Sequence, residues 1–433
     1  MRKTTRSFNK NTLTRSIALV TLTVGSGAAL AQESELEALK KQVERLEKQV
    51  SERIEAPEYD AKNLYLLQDG NGFKIGNTTI TIAGFIKADA IFGSDGNGTR
   101  NSYSVGLPRT FASAAATDTG DWKTGFTARE SRFSLGTKTP DVAGSTLTTY
   151  LEMDFQGGID APGNEVVSNS YNPRLRQAYG SWNSWDFGQT YTTFSDLAAM
   201  PEILDQGKQA AFIYSVQPML RYNMASPGGK LMVALENPED GFGSTSYDDQ
   251  SYPDLTARYQ LRSKLGIYSV AGMVRSIEDD AADKTDVTGA VSLSARIPTF
   301  GRDDLRLQYS YGTLGRYLGL FTYPDLDLGA LAAGEVEPLK TYGATIAYRH
   351  FWSPQWRSNL SLSQTEIVDD LANPPAGTLS YFDKSASVHA NLIWSPHKKL
   401  DLGLEYAYWD FDRIGSDSSE QYEQVIASAR LRF

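Results

Sequence analysis

The strongest constraint on this chain is a two-residue alternation of apolar and polar side chains that recurs from Ile80 to the last residue. It is clearest between Val425 and Phe433, where every second side chain is apolar. A period of two is that of a β-strand, because successive side chains point to opposite faces. The chain is therefore predicted to consist of strands with one apolar and one polar face.

Two architectures contain such strands: a water-soluble sandwich, whose apolar faces pack on each other, and a membrane barrel, whose apolar faces contact lipid. The mean hydropathy is −0.38, and no run after residue 31 is apolar enough to cross a bilayer as a helix. A barrel is compatible with this composition, since only half of the residues in each strand face lipid. The connections between strands distinguish the two architectures.

These connections alternate between short turns and long loops, which is the pattern of outer-membrane barrels. Short turns are predicted at Asn183–Ser184, Ala225–Gly229, Arg262–Lys264, Thr299–Asp303, Ser353–Gln355 and Ser395–Lys398. Long loops are predicted at Gly93–Asp121, Gly157–Asn172, Ser195–Ala210, Asn237–Tyr252, Glu278–Asp286, Leu318–Pro338, Ile367–Thr378 and Asp410–Gln421. The predicted fold is all-β, a 16-stranded antiparallel transmembrane β-barrel over residues 80–433 with a short N-terminal α-helical coiled coil. About sixteen strands enclose an aqueous channel.

Residues 1–31 have the pattern of a signal peptide. Basic residues precede a short apolar run from Ile17 to Val24, and Ala29, Leu30 and Ala31 supply a small-residue cleavage site. The run is shorter than the roughly 20 residues that a membrane-spanning helix needs, which argues against an uncleaved anchor. We therefore expect an exported protein.

Residues 32–55 follow a heptad period instead. The apolar seam has alternating spacings of three and four residues and consists of Leu36, Leu39, Val43, Leu46 and Val50. At about two and a half heptads this helix is too short to be stable alone, and a frayed helical tail is the alternative interpretation. We expect a periplasmic coiled-coil oligomerisation segment, followed by a linker over residues 56–79.

The composition excludes several functional classes. The chain has no cysteine, which rules out disulfides and cysteine-ligated metals. Its formal charge of −10 argues against a nucleic-acid partner. His350, His389 and His397 have no partners at the spacing of a catalytic triad or metal site. We therefore predict no enzymatic activity, no cofactor and no metal.

The predicted loop at Ser195–Ala210 is unusually apolar for a segment exposed to water. Three acidic residues, Asp196, Glu202 and Asp205, lie among its apolar side chains. Because exposed loops are mostly polar, such a loop is expected to pack against other parts of the protein. We predict a constriction loop folded into the lumen, and the alternative is a loop at a subunit interface.

Arginines are concentrated on the polar faces of the predicted strands, whereas much of the acidic excess lies in loops. The candidate lumen residues are Arg174, Arg176, Arg221, Arg258, Arg262, Arg296 and Arg306. Further arginines on these faces are Arg349, Arg357, Arg430 and Arg432. Arginine is always charged and can bind a carboxylate with two parallel hydrogen bonds. About half of them are expected to pair with wall carboxylates instead of solutes, because ion-pair networks also line such walls.

Four short motifs resemble those of the DcaP-like porins: GFIKAD at 84–89, RLRQAYG at 174–180, FGQTYTTF at 187–194 and QPMLRY at 217–222. The resemblance extends over nearly the whole predicted mature chain, and the motifs are shared in part with the phosphate-selective porins. It implies a trimeric outer-membrane channel with 16 strands and an amino-terminal coiled coil, linked to dicarboxylate uptake.

The predicted function is an outer-membrane diffusion channel for small anionic solutes, dicarboxylates among them, through an arginine-lined lumen that the loop at 195–210 narrows. The expected partners are two further copies of the chain in a homotrimer, outer-membrane lipid and the solutes. The location would be the Gram-negative outer membrane, with the amino-terminal stalk in the periplasm. The alternatives are a phosphate-type or general anion porin and, with less support, a barrel enzyme or a structural or adhesin barrel.

Overall fold

The computed structural model describes residues 40–45, 64–66, 71–94, 122–157, 171–205, 209–239, 250–279, 283–319, 323–371, 381–415 and 419–433. The chain divides into two units, Met1–Asn63 and Leu64–Phe433. In the first unit, residues 40–45 form helix α1, which is exposed. The predicted signal peptide and the rest of the predicted coiled coil lie outside the described residues. No helix of the described part of the chain is long and apolar enough to cross a membrane.

The second unit is a closed antiparallel β-barrel. Its strands are β3 (Thr78–Gly93), β4 (Lys123–Thr127), β5 (Arg132–Val142), β6 (Ser145–Asp154), β7 (Arg174–Trp182), β8 (Trp185–Tyr191), β9 (Val216–Ser226), β10 (Gly229–Glu236), β11 (Asp254–Ser263), β12 (Gly266–Asp279), β13 (Lys284–Pro298), β14 (Asp304–Gly312), β15 (Thr341–Phe351), β16 (Trp356–Ile367), β17 (Phe382–His397), β18 (Leu400–Arg413) and β19 (Ser419–Arg432). Each pairs with its neighbour, and β19 pairs with β3 to close the barrel, with Ala427 opposite Ala90.

The barrel has 16 strands because β4 and β5 both pair with β3 and together form one interrupted strand. Two shorter strands, β1 (Leu64–Leu66) and β2 (Gly72–Ile75), pair with each other, and β2 pairs with β3. The range predicted as a linker therefore contains strands. They form because the alternation needed for pairing begins before Ile80.

The predicted division into two faces is clear in β3. Lys87 and Asp89 are buried on the inner face, whereas Ile86 and Phe92 are exposed on the outer face, at 54% and 45%. Exposed apolar side chains are stable on this face only in contact with lipid. The rings of Trp356 and Trp394 stack 5.7 Å apart beside the short turns, where amphipathic rings meet the membrane boundary.

The connections alternate in length as predicted, but two loops are shorter than expected. Strands β12 and β13 pair up to Asp279 and Lys284, and β18 and β19 pair up to Asp412 and Ser419. The bounds predicted for the long loops at 278–286 and 410–421 are therefore wrong, because both loops are shorter. Backbone pairing does not depend on apolar side chains, so a strand can continue beyond the apolar band that marks it in the sequence.

Candidate functional site

The loop predicted to enter the lumen lies against the inner face of the barrel. This first inner segment comprises residues 195–205 and 209–215, and a short 3-10 helix, Leu197–Ala199, follows Asp196. Its hydrogen bonds to side chains involve β3 and every strand from β11 to β19. A segment that contacts so many strands of a closed barrel can lie only inside it.

All three acidic residues of the first inner segment bind side chains of the wall. Asp196 accepts hydrogen bonds from Ser269 at 2.7 Å and Ser294 at 2.8 Å, and also from the Gln260 amide. Asp205 accepts a hydrogen bond from Gln424 at 3.1 Å. These two carboxylates are more than nine-tenths buried, so little of either is accessible to a solute.

Glu202 is bound by two arginines. Its carboxylate accepts hydrogen bonds from Arg357 at 2.6 and 2.9 Å and from Arg349 at 3.4 Å. Burial by itself would raise the pKa of Glu202, but the hydrogen bonds and charge of Arg357, with the charge of Arg349, lower that pKa below its usual range. Glu202 therefore stays ionised and compensates part of the arginine charge.

The tip of the first inner segment is held by Glu405 on β18. The two carboxylate oxygens of Glu405 accept hydrogen bonds from the backbone N–H groups of Leu204, at 2.6 Å, and Asp205, at 3.0 Å. From the other side, Lys87 donates to the Leu204 carbonyl at 2.6 Å. His389, one of the three histidines of the chain, is fully buried, and its Nδ1 lies 3.4 Å from a Glu405 carboxylate oxygen beside this attachment.

Glycines on the inner face make room for the segment. A Cβ atom at Gly403 would lie 2.7 Å from a methyl group of Leu204, and one at Gly343 would lie 3.0 Å from the Cβ of Ala211. Both separations are shorter than normal van der Waals contact. The small residues of the strands and the apolar residues of the loop are therefore complementary in shape.

A second inner segment, residues 313–319 and 323–340, also packs inside the barrel. The sequence predicts a long loop at Leu318–Pro338, and its described part packs inside the barrel instead of extending from its mouth. Tyr323 donates a hydrogen bond to Ser385 at 2.7 Å, and Tyr317 donates to Asp254 at 2.6 Å. The 3-10 helix Gly315–Tyr317 and helix α2 (Leu328–Ala332) belong to this segment.

The two inner segments pack on each other. Ile213 and Leu318 form a β-bridge, and the Gly319 N–H donates to the Phe212 carbonyl at 2.7 Å. The buried cluster around them includes Phe194, Tyr317 and Trp409, an apolar core inside a barrel whose inner face is mostly polar. The second inner segment could have been predicted from the sequence, because residues 314–331 are rich in apolar side chains. The same criterion predicted the first inner segment.

The predicted lumen arginines all lie on the inner face, but carboxylates bind most of them. Arg174 donates to Asp154 at 2.7 Å. Arg176 donates to Glu152 at 2.8 Å, and its side chain is only 3% exposed. In the same way, Arg221 pairs with Asp186 at 2.9 Å, whereas Arg296 and Arg306 share Asp304, at 3.1 and 2.6 Å. Arg258 donates to the Ser195 carbonyl, and Arg262 donates to Gln260 at 3.1 Å.

Nine charged groups form a continuous chain along the wall near the short turns. We call this set the arginine chain: Arg296, Asp304, Arg306, Arg349, Glu202, Arg357, Asp401, Arg430 and Arg432. Asp304 and Asp401 each contact three guanidinium groups. Six arginines thus share three carboxylates, and the side chains of Arg296, Arg430 and Arg432 are 37%, 29% and 36% exposed.

Among the described residues, no group of three or more His, Cys, Asp and Glu side chains is arranged to hold a metal ion. The expectation that the chain needs no metal or cofactor stays a prediction. The inner face instead presents fixed charges and hydrogen-bond donors along a water-accessible wall.

Comparison with known proteins identifies this architecture. The family described as DcaP outer membrane protein matches residues 29–425. The chain belongs to this family. The crystal structure of the outer membrane channel DcaP of Acinetobacter baumannii matches with a TM-score of 0.70 and 23% identity, over 84% of this chain and 99% of that one. No curated protein sequence matches the chain.

Two more distant structures share the fold. OmpF of Salmonella typhi, in complex with daunomycin, has a TM-score of 0.54 and 12% identity, over 82% of this chain and 98% of that one. In vitro folded OmpT of Vibrio cholerae has a TM-score of 0.51 and 12% identity, over 83% of this chain and 99% of that one. Family and fold together show that this DcaP family member is a channel of the Gram-negative outer membrane. That it lacks catalytic activity stays a prediction.

Proposed function

We propose that this DcaP family channel conducts small anions, dicarboxylates among them, in preference to cations. The observation that carries the proposal is the arginine chain, in which six guanidinium groups share three carboxylates. Glu202 of the first inner segment is already counted among these three carboxylates, whereas Asp196 and Asp205 are buried and accept hydrogen bonds from wall side chains outside the arginine chain.

The energy scale is sufficient for selectivity. A unit charge about 7 Å from a guanidinium gains roughly 0.6 kcal/mol in bulk water, and more between walls of low dielectric constant. About 1.4 kcal/mol corresponds to a tenfold preference, so two or three exposed arginines suffice. Acidic residues in outer loops act weakly, because salt screens charges beyond about 8 Å at physiological ionic strength.

The preference for dicarboxylates comes from the family resemblance. The arginine chain supports it, because exposed guanidinium groups on separate strands can bind the two ends of a dianion with paired hydrogen bonds. The first inner segment is proposed to narrow the passage, since it occupies the interior beside β3 and β11 to β19. A phosphate-type or general anion porin is the second candidate, supported by the same excess of arginine.

The proposal is tested by reversal potentials across planar bilayers in a salt gradient. We expect anion selectivity in the wild type and a smaller preference in the triple variant Arg296→Gln, Arg430→Gln, Arg432→Gln. Arg302→Gln is the matched control, since Arg302 lies in a short turn outside the arginine chain and binds the Pro354 carbonyl. Cation selectivity in the wild type would contradict the proposal.

The preferred anion is tested by flux into liposomes. Succinate is expected to enter faster than phosphate through a dicarboxylate channel, whereas a phosphate-type porin would show the opposite order. Glucose flux serves as the uncharged reference, and the triple variant should lose succinate flux more than glucose flux.

We further propose a homotrimer. The heptad seam at residues 32–55 supports it, and so does the helical, exposed state of residues 40–45. Light scattering in detergent measures the assembly directly, and a monomer would exclude it.

A further inference from the structure

A cavity of about 260 Å³ lies between the first inner segment and the wall formed by β3, β5, β7, β8, β18 and β19. On one side it is lined by Met200, Pro201 and Ile203 of the segment. On the other side it is lined by inner-face residues of the wall, including Phe85, Arg132 and Arg430. The cavity lies beside the tip of the first inner segment, which Lys87 on β3 and Glu405 on β18 hold, and β5, β7 and β8 complete its wall.

Phe85 is an unusual residue for this position. On the same inner face of β3 it is followed by Lys87 and Asp89, as expected for a strand facing water. The ring is only half-buried, and it is not part of the apolar core between the inner segments. The guanidinium carbons of Arg132 and Arg430 lie 5.4 and 5.8 Å from the ring centre, so two cations are within cation–π distance of one apolar ring.

Arg132, which is not among the lumen arginines predicted from the sequence, differs from the arginines around it. Its nearest contact with a carboxylate oxygen in the described part of the chain is 3.9 Å, to Glu152, which Arg176 already binds at 2.8 Å. Its Nε atom has no hydrogen-bond partner among the described residues. Nε is buried, but the side chain as a whole is 25% exposed and lines the cavity, so its terminal N–H groups are the donors that face a solute.

Arg430 also retains binding capacity. It donates to Asp401 at 2.6 Å, but Arg432 and Arg357 contact the same carboxylate, so one negative charge is shared by three positive ones. The other acids of the cavity are engaged elsewhere: Glu130 pairs with Lys87, Glu202 with Arg357, and Asp205 with Gln424.

We propose that Phe85, Arg132 and Arg430 form a solute-binding site that selects dianions with an apolar spacer between their acidic groups. This inference rests on the proposed function and names the specificity-determining residues of the same passage. The guanidinium groups bind the two acidic ends, and the spacer packs on the Phe85 ring. A spacer that carries hydroxyl groups would lose hydrogen bonds to water against this ring without regaining them, and is therefore disfavoured.

The test compares succinate with tartrate, which has the same chain length and two hydroxyl groups on the spacer. The permeability ratio of the two dianions is taken from reversal potentials across planar bilayers. We expect the wild type to favour succinate by about threefold or more beyond the difference in free diffusion, within the range for adding a hydroxyl in an apolar site. Phe85→Leu should retain this ratio, and Phe85→Ser should reduce it to near the diffusion value.

Arg132→Gln should lower the permeability of both dianions relative to chloride, because one of the two binding groups is lost. The control for the ring is Phe351→Ser, since Phe351 also lies between two arginines, Arg302 at 4.1 Å and Arg349 at 5.1 Å, but does not line the cavity. This variant should leave the succinate-to-tartrate ratio unchanged.

The outcomes separate the two proposals. A cation-selective wild type would overturn the proposed function itself. An anion-selective wild type without preference for succinate over tartrate would overturn only the binding site. An equal effect of Phe85→Ser and Phe351→Ser would also overturn it, because the change would then be a general effect on the barrel.

Discussion

At the scale of single residues, barrel closure depends on a glycine at the seam between the first and last strands. The backbone N–H of Phe433 donates to the Gly84 carbonyl at 3.2 Å. A Cβ atom at Gly84 would lie 2.2 Å from the Arg132 carbonyl oxygen and 2.7 Å from the Phe433 ring. The Phe433 ring therefore packs against Gly84, where any side chain would collide with it.

We therefore expect Gly84→Ala to destabilise the barrel by about 1–3 kcal/mol, the usual cost of overpacking a close contact. Samples are heated to a series of temperatures, and the measurement is the temperature at which the band of the folded barrel disappears from the gel. Gly136→Ala is the matched control, because a Cβ there would meet the Thr149 carbonyl oxygen at an ordinary 3.8 Å. Equal unfolding temperatures for the two variants would show that the seam tolerates a side chain.

At the scale of elements, the two inner segments occupy part of the barrel interior. The first is attached through Glu405 at its tip and through Glu202 at its middle, and the second packs on it through Ile213 and Leu318. Polar residues on the inner face of the strands, such as Glu405, therefore bind the backbone of the first inner segment in addition to facing water.

Glu405→Ala should release the tip, since two backbone N–H groups lose their acceptor and a buried hydrogen bond to a charged group contributes about 1.5–3 kcal/mol. The expected result is a higher single-channel conductance, together with faster proteolytic cleavage after Leu204. Glu366→Ala is the control, because Glu366 is a strand carboxylate that binds Tyr342. Unchanged conductance in the Glu405 variant would place the constriction elsewhere.

Acid pH should loosen the same segment through Glu202. Because the pKa of Glu202 is lowered below the usual value for a glutamate, the ion pairs with Arg349 and Arg357 contribute their full stability above that usual value and lose it as the pH falls through the lowered pKa. Single-channel conductance is expected to rise between neutral pH and about pH 3, where carboxylates become protonated.

Glu202→Gln should conduct at neutral pH as the wild type does in acid, and its pH response should be smaller. The third cation near this carboxylate, Arg430, stays charged throughout the range. A pH response that is the same in the variant and the wild type would assign the titration to another group.

At the scale of the whole molecule, a closed barrel satisfies every backbone group in its ladder without an exposed edge, as a membrane requires. Its outer face exposes large apolar side chains such as Leu293 and Leu404, both at 55%. The acidic chain can therefore be a membrane protein, because charge and apolar surface are separated onto different faces and loops.

Deletion of residues 32–55 should weaken the proposed homotrimer without abolishing it. A seam of about two and a half heptads contributes little by itself, whereas contacts between barrels in the proposed trimer would bury larger apolar surfaces. Light scattering of the full chain and the deletion variant over a range of protein concentrations measures the difference. Complete loss of the trimer on deletion would show that the coiled coil alone holds the copies together.

The number of barrel strands and their faces could be predicted from the sequence, because alternation is a local property and the apolar set of each strand marks the face toward lipid. The strands β1 and β2 and the ends of β12, β13, β18 and β19 could not, because backbone pairing continues beyond the alternating residues. The sequence also identified the first inner segment from its apolar residues. Which arginines are compensated depends on strand pairing, since Asp154 and Asp304 meet arginines of neighbouring strands through the register of the barrel. The tertiary structure also showed the second inner segment and the position of Arg132 beside Phe85. Those contacts join residues far apart in sequence, and only closure of the barrel brings them together.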